Sequence, residues 1–332
     1  MLQRFKRIWH PEQFHFHHRL HRGQACFEGW YFKLVDAAGE RPYAIIPGVF
    51  LGAEAHAFIQ VLDGRAGSSD YHRFPLDAFQ ASTDRFDVRI GRSRFTPAGI
   101  TLDIGADETD PQSAVSGDIR CSGWAGWPVT LTRPGVMGPY SFIPFMECNH
   151  GILSMDHGLQ GELSVNGSRI SYEGGRGYVE KDWGRGFPRG YVWAQSNHFE
   201  EAGVSVSASV ARIPWLTGAF RGHLVGFLLR GKLHRFTTYN GTRIEKIHVD
   251  DDNYRLTVCD HQYRLRLLAR RTGGALLHAP YEQQMVERVA EAMNSEIQVH
   301  FARVRDGEVL FEGTGRPGCR EVQGDLSGVR AP

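Results

Sequence analysis

The sequence predicts an all-β protein composed of two β units. Asn-Gly and Asp-Gly turn signals recur along the chain, and short runs with the two-residue period of a strand lie between them. Many short strands punctuated in this way are typical of β-sandwiches and β-barrels. An acidic residue followed closely by tryptophan occurs twice, in residues 28–30 and in residues 180–183. This echo indicates two similar units, which we assign to residues 1–170 and 171–332.

The clearest strand patterns, taken in chain order, lie in four short stretches: 87–90, 100–104, 254–258 and 263–267. Apolar and polar residues alternate there, as expected for strands with one buried face. Tyr281 to Met293 has a helical period instead, because Val286, Val289 and Ala290 fall with Met293 on one apolar stripe. We therefore expect one short helix near the C-terminus and strands elsewhere.

The composition limits the classes of function. The 332 residues include 38 Lys+Arg and 37 Asp+Glu, a net charge of +1, so the chain lacks the basic character of most nucleic-acid-binding proteins. No apolar run reaches the roughly 18 residues of a membrane span, and the N-terminus has no signal-peptide pattern. Five scattered cysteines suggest free thiols in a reducing compartment. We expect a cytoplasmic protein without a nucleic-acid partner.

Residues 177–199 carry the strongest functional signal. Alternate residues after a Gly/Pro-rich turn place aromatic and amide side chains on one strand face: Tyr191, Trp193, Gln195 and Asn197. A solvated face would carry Lys, Glu and Thr, and a core face would carry Val, Ile and Leu. Aromatic rings interleaved with amides suit a mostly apolar pocket with a few polar groups. We expect this face to bind a hydrophobic small molecule in a cavity shared with Trp183.

Three ionisable residues precede that strand, namely Glu180, Lys181 and Asp182, and Trp183 follows them. A carboxyl group walled by an indole loses solvation, so its pKa rises. A carboxylic acid with a raised pKa can donate a proton near neutral pH. Asp182 and Glu180 are therefore candidate acids, with Asp182 preferred because it is adjacent to Trp183. The alternative is a solvated turn, since charge clusters are usually exposed.

Glu28 is a second candidate acid. On a strand, Glu28, Trp30 and Phe32 share one face, and Tyr31 and Lys33 share the other. If the first of these faces points into a barrel, Glu28 lies beside aromatic walls. The alternative is a core pair of Trp30 and Phe32 with Glu28 at the strand edge.

Other residue groups carry weaker signals. His150, Asp156 and His157 are suitable metal ligands, but their spacing matches no standard metal signature, so we assign no metal site. A Ser-His-Asp triad is disfavoured because the chain has no G-x-S-x-G elbow. The glycine-rich segments at 175–177 and 184–186 break the dinucleotide-binding pattern.

The N-terminal segment is rich in histidine and arginine, with His10, His15, His17, His18, Arg19, His21 and Arg22. This composition indicates a basic surface segment rather than a metal site. Such a segment can contact anionic lipid headgroups. Peripheral membrane contact is therefore a further expectation.

Two elements of the sequence resemble the tocopherol cyclases, whose signature is roughly E-K-(D/N)-W-G-x-G-F-P followed by an aromatic strand with Q-x-N. The matching residues are Glu180, Lys181, Asp182, Trp183, Gly184, Gly186, Phe187, Pro188, Trp193, Gln195 and Asn197. The second element is Phe27-Glu28-Gly29-Trp30-Tyr31-Phe32-Lys33. The resemblance covers residues 27–62 and 171–324, whereas residues 63–169 follow the family pattern less closely.

The resemblance implies a fold and a reaction. Relatives that include carotenoid hydratase-like proteins imply a pair of lipocalin-like β-barrels, and a barrel of about eight strands can enclose one small apolar ligand. The implied reaction adds the phenol oxygen of a prenylated hydroquinone across the first prenyl double bond, giving a chromanol. No redox change occurs, so no cofactor is expected.

The resemblance also implies roles for individual residues. Asp182 or Glu180, with Glu28 as a further candidate, would protonate the alkene. Aromatic faces would stabilise the tertiary cation by about 0.5–2 kcal/mol each. The substrate-binding residues would be Trp30, Tyr31, Lys181, Trp183, Tyr191, Trp193, Gln195 and Asn197. Two alternatives stay open: a hydratase, in which water captures the same cation, and a non-catalytic lipocalin-like carrier of an isoprenoid lipid.

Overall fold

Antiparallel β-sheet accounts for most of the regular structure. The structure is a computed structural model that describes residues 6–17, 25–105, 114–216, 218–281 and 284–330. The chain divides into two compact units: Met1–Phe187 with Leu277–Arg288, and Pro188–Leu276 with Val289–Pro332. The predicted all-β fold is confirmed, including strands in each of the four stretches with alternating residues.

The first sheet contains twelve of the described strands. They are β1 (Cys26–Val35), β2 (Tyr43–Leu51), β3 (His56–Asp63), β4 (Ser68–Phe74), β5 (Phe79–Ala81), β6 (Val88–Ile90), β7 (Ser93–Thr96), β8 (Gly99–Ile104), β9 (Val115–Ser122), β10 (Cys148–Val165), β11 (Ser168–Ser171) and β12 (Gly175–Gly184). Their order is β4-β3-β2-β1-β12-β10-β9-β8-β7-β6-β5, with β11 paired to β10. The strand β12 therefore lies between β1 and β10.

The second sheet contains ten of the described strands. They are β13 (Gly190–Ser196), β14 (Ser205–Trp215), β15 (Gly218–Leu229), β16 (Lys232–Thr237), β17 (Arg243–Val249), β18 (Asn253–Cys259), β19 (Tyr263–Arg270), β20 (Ala275–Tyr281), β21 (Gln284–Arg303) and β22 (Val309–Gly324). Their order is β16-β15-β14-β13-β22-β21-β19-β18-β17, with β20 paired to β21.

Helices are short throughout the described part of the chain. There are 3-10 turns at Arg7–Trp9, Leu76–Ala78 and Gly138–Phe142, and the α-helix α1 spans Ser327–Arg330. None of the helices in the described ranges is long and apolar enough to cross a membrane. The single short helix expected near the C-terminus is α1.

The position predicted for that helix, Tyr281 to Met293, is wrong. Tyr281 ends β20, and the residues from Gln284 onward form the long strand β21. Along β21, Val289, Glu291 and Met293 are buried, whereas Ala290 is exposed. The pairing of β21 with β22 and β19 supplies its backbone hydrogen bonds, and this tertiary pairing overrides the local helical spacing.

The first sheet curls around one hydrophobic core. Trp30, Phe32 and Leu34 of β1 are fully buried in it, together with residues from most other strands of the sheet. The strand β3 also contacts β6, which lies near the opposite end of the strand order. The β1 face that carries Trp30 and Phe32 therefore points into the curled sheet.

The second sheet has a core of its own. Val192 and Ala194 of β13 pack there with residues such as Phe227 and Phe301. Because β12 pairs with β1 and β10, the first unit extends to Phe187, beyond the predicted division near residue 170. None of the five cysteines, which all lie in the described ranges, forms a disulfide bond.

Candidate active site

The ionisable block that follows Tyr178 lies on β12, and its residues alternate between two faces of the first sheet. Val179 belongs to the hydrophobic core, so Lys181 and Trp183 lie on the core face. Tyr178, Glu180 and Asp182 lie on the opposite face, which we call the outer face of β12. The block is therefore divided between two environments.

An acid–base cluster occupies the outer face. His150 of β10 lies directly opposite Asp182 in the strand register. Its Nδ1 is 2.9 Å from Asp182 Oδ1, and its Nε2 is 3.8 Å from Glu180 Oε2. Tyr178 Oη donates a hydrogen bond to Glu180 Oε2 at 2.5 Å. A single imidazole thus lies within reach of both candidate acids.

The three central groups of this cluster differ in exposure. The side chain of Asp182 is 21% exposed, that of His150 16% and that of Glu180 9%. Asp182 is thus the carboxylate that a bound molecule can reach most easily. Cys148 Sγ lies 4.0 Å from Asp182 Oδ1, and burial, with the charge of Asp182 adding to it, raises the pKa of this thiol well above its usual value.

Trp183 does not wall the carboxyl groups of Asp182 and Glu180, because it lies on the core face. Its ring stacks on His15, with the ring centres 4.5 Å apart and the planes inclined by 16°. The expected rise in carboxylate pKa through contact with this indole therefore has no geometric basis. The expectation wrongly treated neighbouring residues of a strand as sharing one face.

A buried ion pair fills the core face at this point. Lys181 and Glu28 are both fully buried, and Lys181 Nζ lies 2.5 Å from Glu28 Oε1. Lys181 Nζ also donates to the main-chain oxygens of Pro11 and Gln13, at 3.0 and 2.5 Å. The main-chain N–H of His15 donates to both carboxylate oxygens of Glu28. The pair therefore fastens residues 11–15 to β1 and β12.

The charge of Glu28 follows from these partners. Burial alone would raise its pKa, but Lys181 and then His15 outweigh burial and lower it. Glu28 is thus ionised and has a structural role as the partner of Lys181. The indoles on this face also contact the lysine, because Lys181 Nζ lies 4.5 Å from the ring centre of Trp183 and 4.9 Å from that of Trp30.

Tyr31 lies on β1 directly opposite Glu180. Cross-strand partners share a face, so Tyr31 belongs to the outer face with the acid–base cluster. Its side chain is 7% exposed. Of the predicted substrate-binding residues in the first unit, Tyr31 shares the face of Glu180 and Asp182. Trp30, Lys181 and Trp183 lie instead on the core face, with Glu28.

The remaining predicted binding residues lie in the second unit. Trp193 and Gln195 fall on the side of β13 opposite the core residues Val192 and Ala194, and Asn197 follows the end of that strand. All three are buried. Tyr191 Oη donates to Glu321 Oε2 at 2.8 Å. A ligand role for these residues stays a prediction, as does a cavity that joins them to Trp183.

His150, Asp156 and His157, the candidate metal ligands, have different partners in the structure. Asp156 pairs with Arg176. His157 is turned into the first unit, where its Nδ1 lies 3.0 Å from Ser154 Oγ and its ring stacks on Trp124. The register of β10 against β12 shifts between Ile152 and His157, and such irregularities change the direction in which the following side chains point.

His150 instead joins two carboxylates in a set that could hold a metal ion. One ligand atom each from His150, Glu180 and Asp182 lies within 4.8 Å of the other two. The sequence alone does not connect His150 with Asp182. The available signal was the chemistry of the residues at 147–150 alone, because the pairing of β10 with β12 is not visible in the chain order.

The N-terminal basic segment is described only in part. His10, His15 and His17 lie within the described residues, whereas His18, Arg19, His21 and Arg22 lie outside them. His15 is bound into the Glu28–Lys181 group, and His17 Nε2 lies 3.1 Å from Ser82 O. These two histidines therefore have internal contacts, and the proposed membrane contact stays a prediction.

The fold and the outer-face cluster define a class: an all-β protein with two large antiparallel sheets, one of which carries a His-carboxylate cluster beside aromatic residues. A family model described as tocopherol cyclase-like matches residues 92–324, which is more than half of the chain. The chain belongs to the tocopherol cyclase-like family. The match includes Glu180, Asp182 and His150.

Two plant proteins illustrate the relationship. The chain is 32% identical over 190 residues to a tocopherol cyclase, chloroplastic, of Zea mays, covering 54% of this chain and 37% of that protein. It is 33% identical over 123 residues to a probable tocopherol cyclase, chloroplastic, of Oryza sativa subsp. japonica, covering 35% of this chain and 26% of that protein. The matches thus span between a quarter and two fifths of the length of these relatives.

Solved structures share the fold at low sequence identity. CghA with Sch210972 has a TM-score of 0.56 at 12% identity, with 91% of this chain and 89% of that chain covered. Kievitone hydratase from Nectria haematococca has a TM-score of 0.50 at 12% identity, with the same coverage. At this identity the likeness concerns the fold alone.

Proposed function

We propose that this protein is a cyclase of the tocopherol cyclase type, which converts a prenylated hydroquinone to a chromanol by acid catalysis. The observation that carries the proposal is the position of His150 between Asp182 and Glu180 on the outer face of β12. Membership of the family and the names of the two plant relatives support the same reaction.

Asp182 is the proposed proton donor. It is the most exposed of the three candidate carboxyl groups, whereas Glu28 is fully buried and held as an anion by Lys181. The proton adds to the less substituted carbon of the prenyl double bond and leaves a tertiary cation. Positioned acid–base groups typically contribute about 10²–10⁴-fold to a rate.

His150 is the proposed partner of this acid. Its contact with Asp182 fixes the orientation of the imidazole. When the phenol oxygen attacks the cation, the phenol proton passes to the Asp182–His150 pair and restores the acid. One C–H and one C–O bond form, one O–H bond and one π bond are broken, and no electrons or protons are gained overall.

Glu180 and the tyrosines complete the proposed environment of the cation. Glu180 places a second carboxylate beside His150 and accepts a hydrogen bond from Tyr178. Tyr31, opposite Glu180, offers an aromatic face, and such faces contribute about 0.5–2 kcal/mol to cation binding. Trp193, Gln195 and Asn197 stay proposed contacts for the substrate, on the strength of their shared strand face.

Turnover in deuterated water tests the proposal. Purified protein is incubated with a prenylated 1,4-hydroquinone. The products are then separated, and their molecular masses are measured by mass spectrometry. A cyclase gives an isomer of the substrate that carries one deuterium on the carbon that was protonated. Formation of a tertiary alcohol, heavier by one water, would identify a hydratase. Recovery of bound but unchanged lipid would identify a carrier.

A further inference from the structure

A cavity in the second unit is separate from the proposed reaction. Its volume is about 370 Å³, within the usual range for sites that bind small molecules. The walls come from the residues around Asp250, the connection between β19 and β20, and parts of β20, β21 and β22. All of these residues belong to the second unit.

Arg320 is the first feature of this cavity that requires explanation. It lies on β22 in register with Ala194 and Ala292, and only 5% of it is exposed. Its Nη2 donates to the main-chain oxygen of Asp250 at 3.1 Å. Its Nε has no hydrogen-bond partner among the described residues. A buried guanidinium with an unused donor is costly unless an anion or another acceptor reaches it.

Thr272 is the second such feature, and it lines the same cavity. Its Oγ1 is buried and has no hydrogen-bond partner within the described ranges. The neighbouring Arg271 also lines the cavity with an exposed side chain, and its main-chain N–H is fixed by Asp252 O at 2.7 Å. A buried N–H donor, a hydroxyl and a second guanidinium therefore line one space.

The acidic residues near this space limit the charge of its ligand. The carboxylate of Asp250 is engaged by its own turn, because Oδ1 accepts from the main-chain N–H of Asp252 and Asn253 and Oδ2 lies 2.8 Å from His248 Nε2. Asp251 and the buried Glu291 add negative charge to the walls. A dianion would be repelled more strongly than a monoanion.

We propose that this cavity binds the carboxylate group of a small organic acid. Arg320 and Thr272 hold the carboxylate, and Arg271 closes the open side. A planar carboxylate matches the fork of a guanidinium. The apolar body of the acid packs on the remaining walls, which include Ala275, Leu276, Ala292 and Val322.

Calorimetric titration of the full-length protein tests this assignment. The probes are butanoate and octanoate, with butanamide and inorganic phosphate as matched comparisons. We expect the carboxylates to bind and butanamide to bind at least about tenfold more weakly, because it lacks the charge that pairs with Arg320. Arg320→Gln and Thr272→Val should each weaken carboxylate binding. Arg255→Gln, which alters an exposed arginine outside this cavity, should not.

Several results would overturn the proposal. One is the absence of carboxylate binding at about 10 mM, which corresponds to an affinity weaker than that of ordinary small-ligand sites. Equal binding by the wild type and by Arg320→Gln would also reject it, and tighter binding of phosphate would reject the carboxylate class. If circular dichroism shows that Arg320→Gln does not fold, Thr272→Val and Arg271→Gln decide the question, because Thr272→Val keeps the side-chain shape and Arg271 is exposed.

Discussion

Asp182 and His150 face each other across neighbouring strands, and this register determines which groups can exchange protons. Glu180 is two residues from Asp182 and therefore shares its face, whereas Lys181 and Trp183 do not. The composition of residues 180–183 was sufficient to single out the strand that carries the candidate acids. It could not assign partners, because His150, which lies opposite Asp182, is 32 residues earlier in the chain.

The first prediction concerns the carboxylates of the outer face. Asp182→Asn and Glu180→Gln are each expected to lower kcat by about 10²–10⁴-fold, with Asp182→Asn more severe. The amides keep the shape of the site but cannot deliver a proton, so the Kd for the lipid should change little. Steady-state rates and lipid titrations measure the two effects separately.

The control for this experiment is Glu162→Gln, which removes a carboxylate that is 61% exposed and lies farther along β10. An active Asp182→Asn enzyme with an inactive Glu180→Gln enzyme would transfer the donor role to Glu180. Full activity of both variants would exclude the acid cluster from the mechanism and favour a lipid carrier.

The second prediction concerns metal ions. His150, Glu180 and Asp182 could hold a divalent ion, but the proposed proton transfer requires none. We expect dialysis against a chelator to leave the rate unchanged. Added Zn²⁺ should inhibit, because it would occupy the imidazole and carboxylates that carry the proton. A rate that falls on chelation and returns with one particular metal would contradict the mechanism.

The third prediction concerns His157 and acid stability. Burial, with Arg176 adding to it, lowers its pKa to about 3. The unfolded chain therefore takes up this proton near pH 6.5, well before the folded chain does. The contribution of neutral His157 to the free energy of unfolding is fully present above pH 6.5 and is lost as the pH falls towards 3.

Urea unfolding at a series of pH values between 7 and 4 measures this dependence. The slope from His157 is at most about 1.4 kcal/mol per pH unit. It should disappear in His157→Asn and persist in His261→Gln, which changes an exposed histidine. An unchanged slope in His157→Asn would show that other groups cause the acid sensitivity.

At the scale of strands, the Glu28–Lys181 pair links the neighbouring strands β1 and β12 and holds residues 11–15 against them. Lys181→Met is expected to destabilise the protein by about 3–5 kcal/mol, because it leaves Glu28 charged and buried without its main partner. Combining it with Glu28→Leu should restore part of that loss. Urea unfolding of the two single variants and the double variant measures the coupling.

Arg73→Met provides the comparison, since Arg73 and its partner Glu54 are both about half exposed. An exposed pair is screened by solvent, so its loss should change stability little. Equal effects of Lys181→Met and Arg73→Met would show that burial of the first pair does not control its strength.

Strand prediction succeeded where the residue period was two and failed at β21. The stretches at 254–258 and 263–267 each have one buried face, and their alternation is visible in the sequence. The strand β21 combines buried Glu291 and Ser295 with exposed Ala290. Its burial is set by pairing with β19, β20 and β22, so the local pattern at 281–293 resembles that of a helix.

At the scale of the molecule, two β units and the family could be predicted from repeated acid–Trp elements and the signature motif. The division between the units could not be placed correctly from the motif, because Glu180 opens a conspicuous stretch of sequence but lies on a strand of the first sheet. The acid–base cluster is completed by His150 of the paired strand β10, and no repeat or motif in the sequence indicates that pairing.

The first unit is built from two segments that are separated in the chain, and this separation affects how it folds during synthesis. Its segment Leu277–Arg288 follows Phe187 only after the intervening chain has been synthesised, and it is fastened there by contacts such as His278 N–H to Gln60 Oε1 at 2.7 Å. At about 5–20 residues per second, the ribosome needs on the order of 5–20 s to bridge that interval. During this time Gln60 lacks the main-chain N–H of His278, and Tyr71 lacks the His278 ring on which it stacks in the folded protein. Nascent chains stalled before residue 277 should therefore be more sensitive to protease at β3 and β4 than chains released after residue 288.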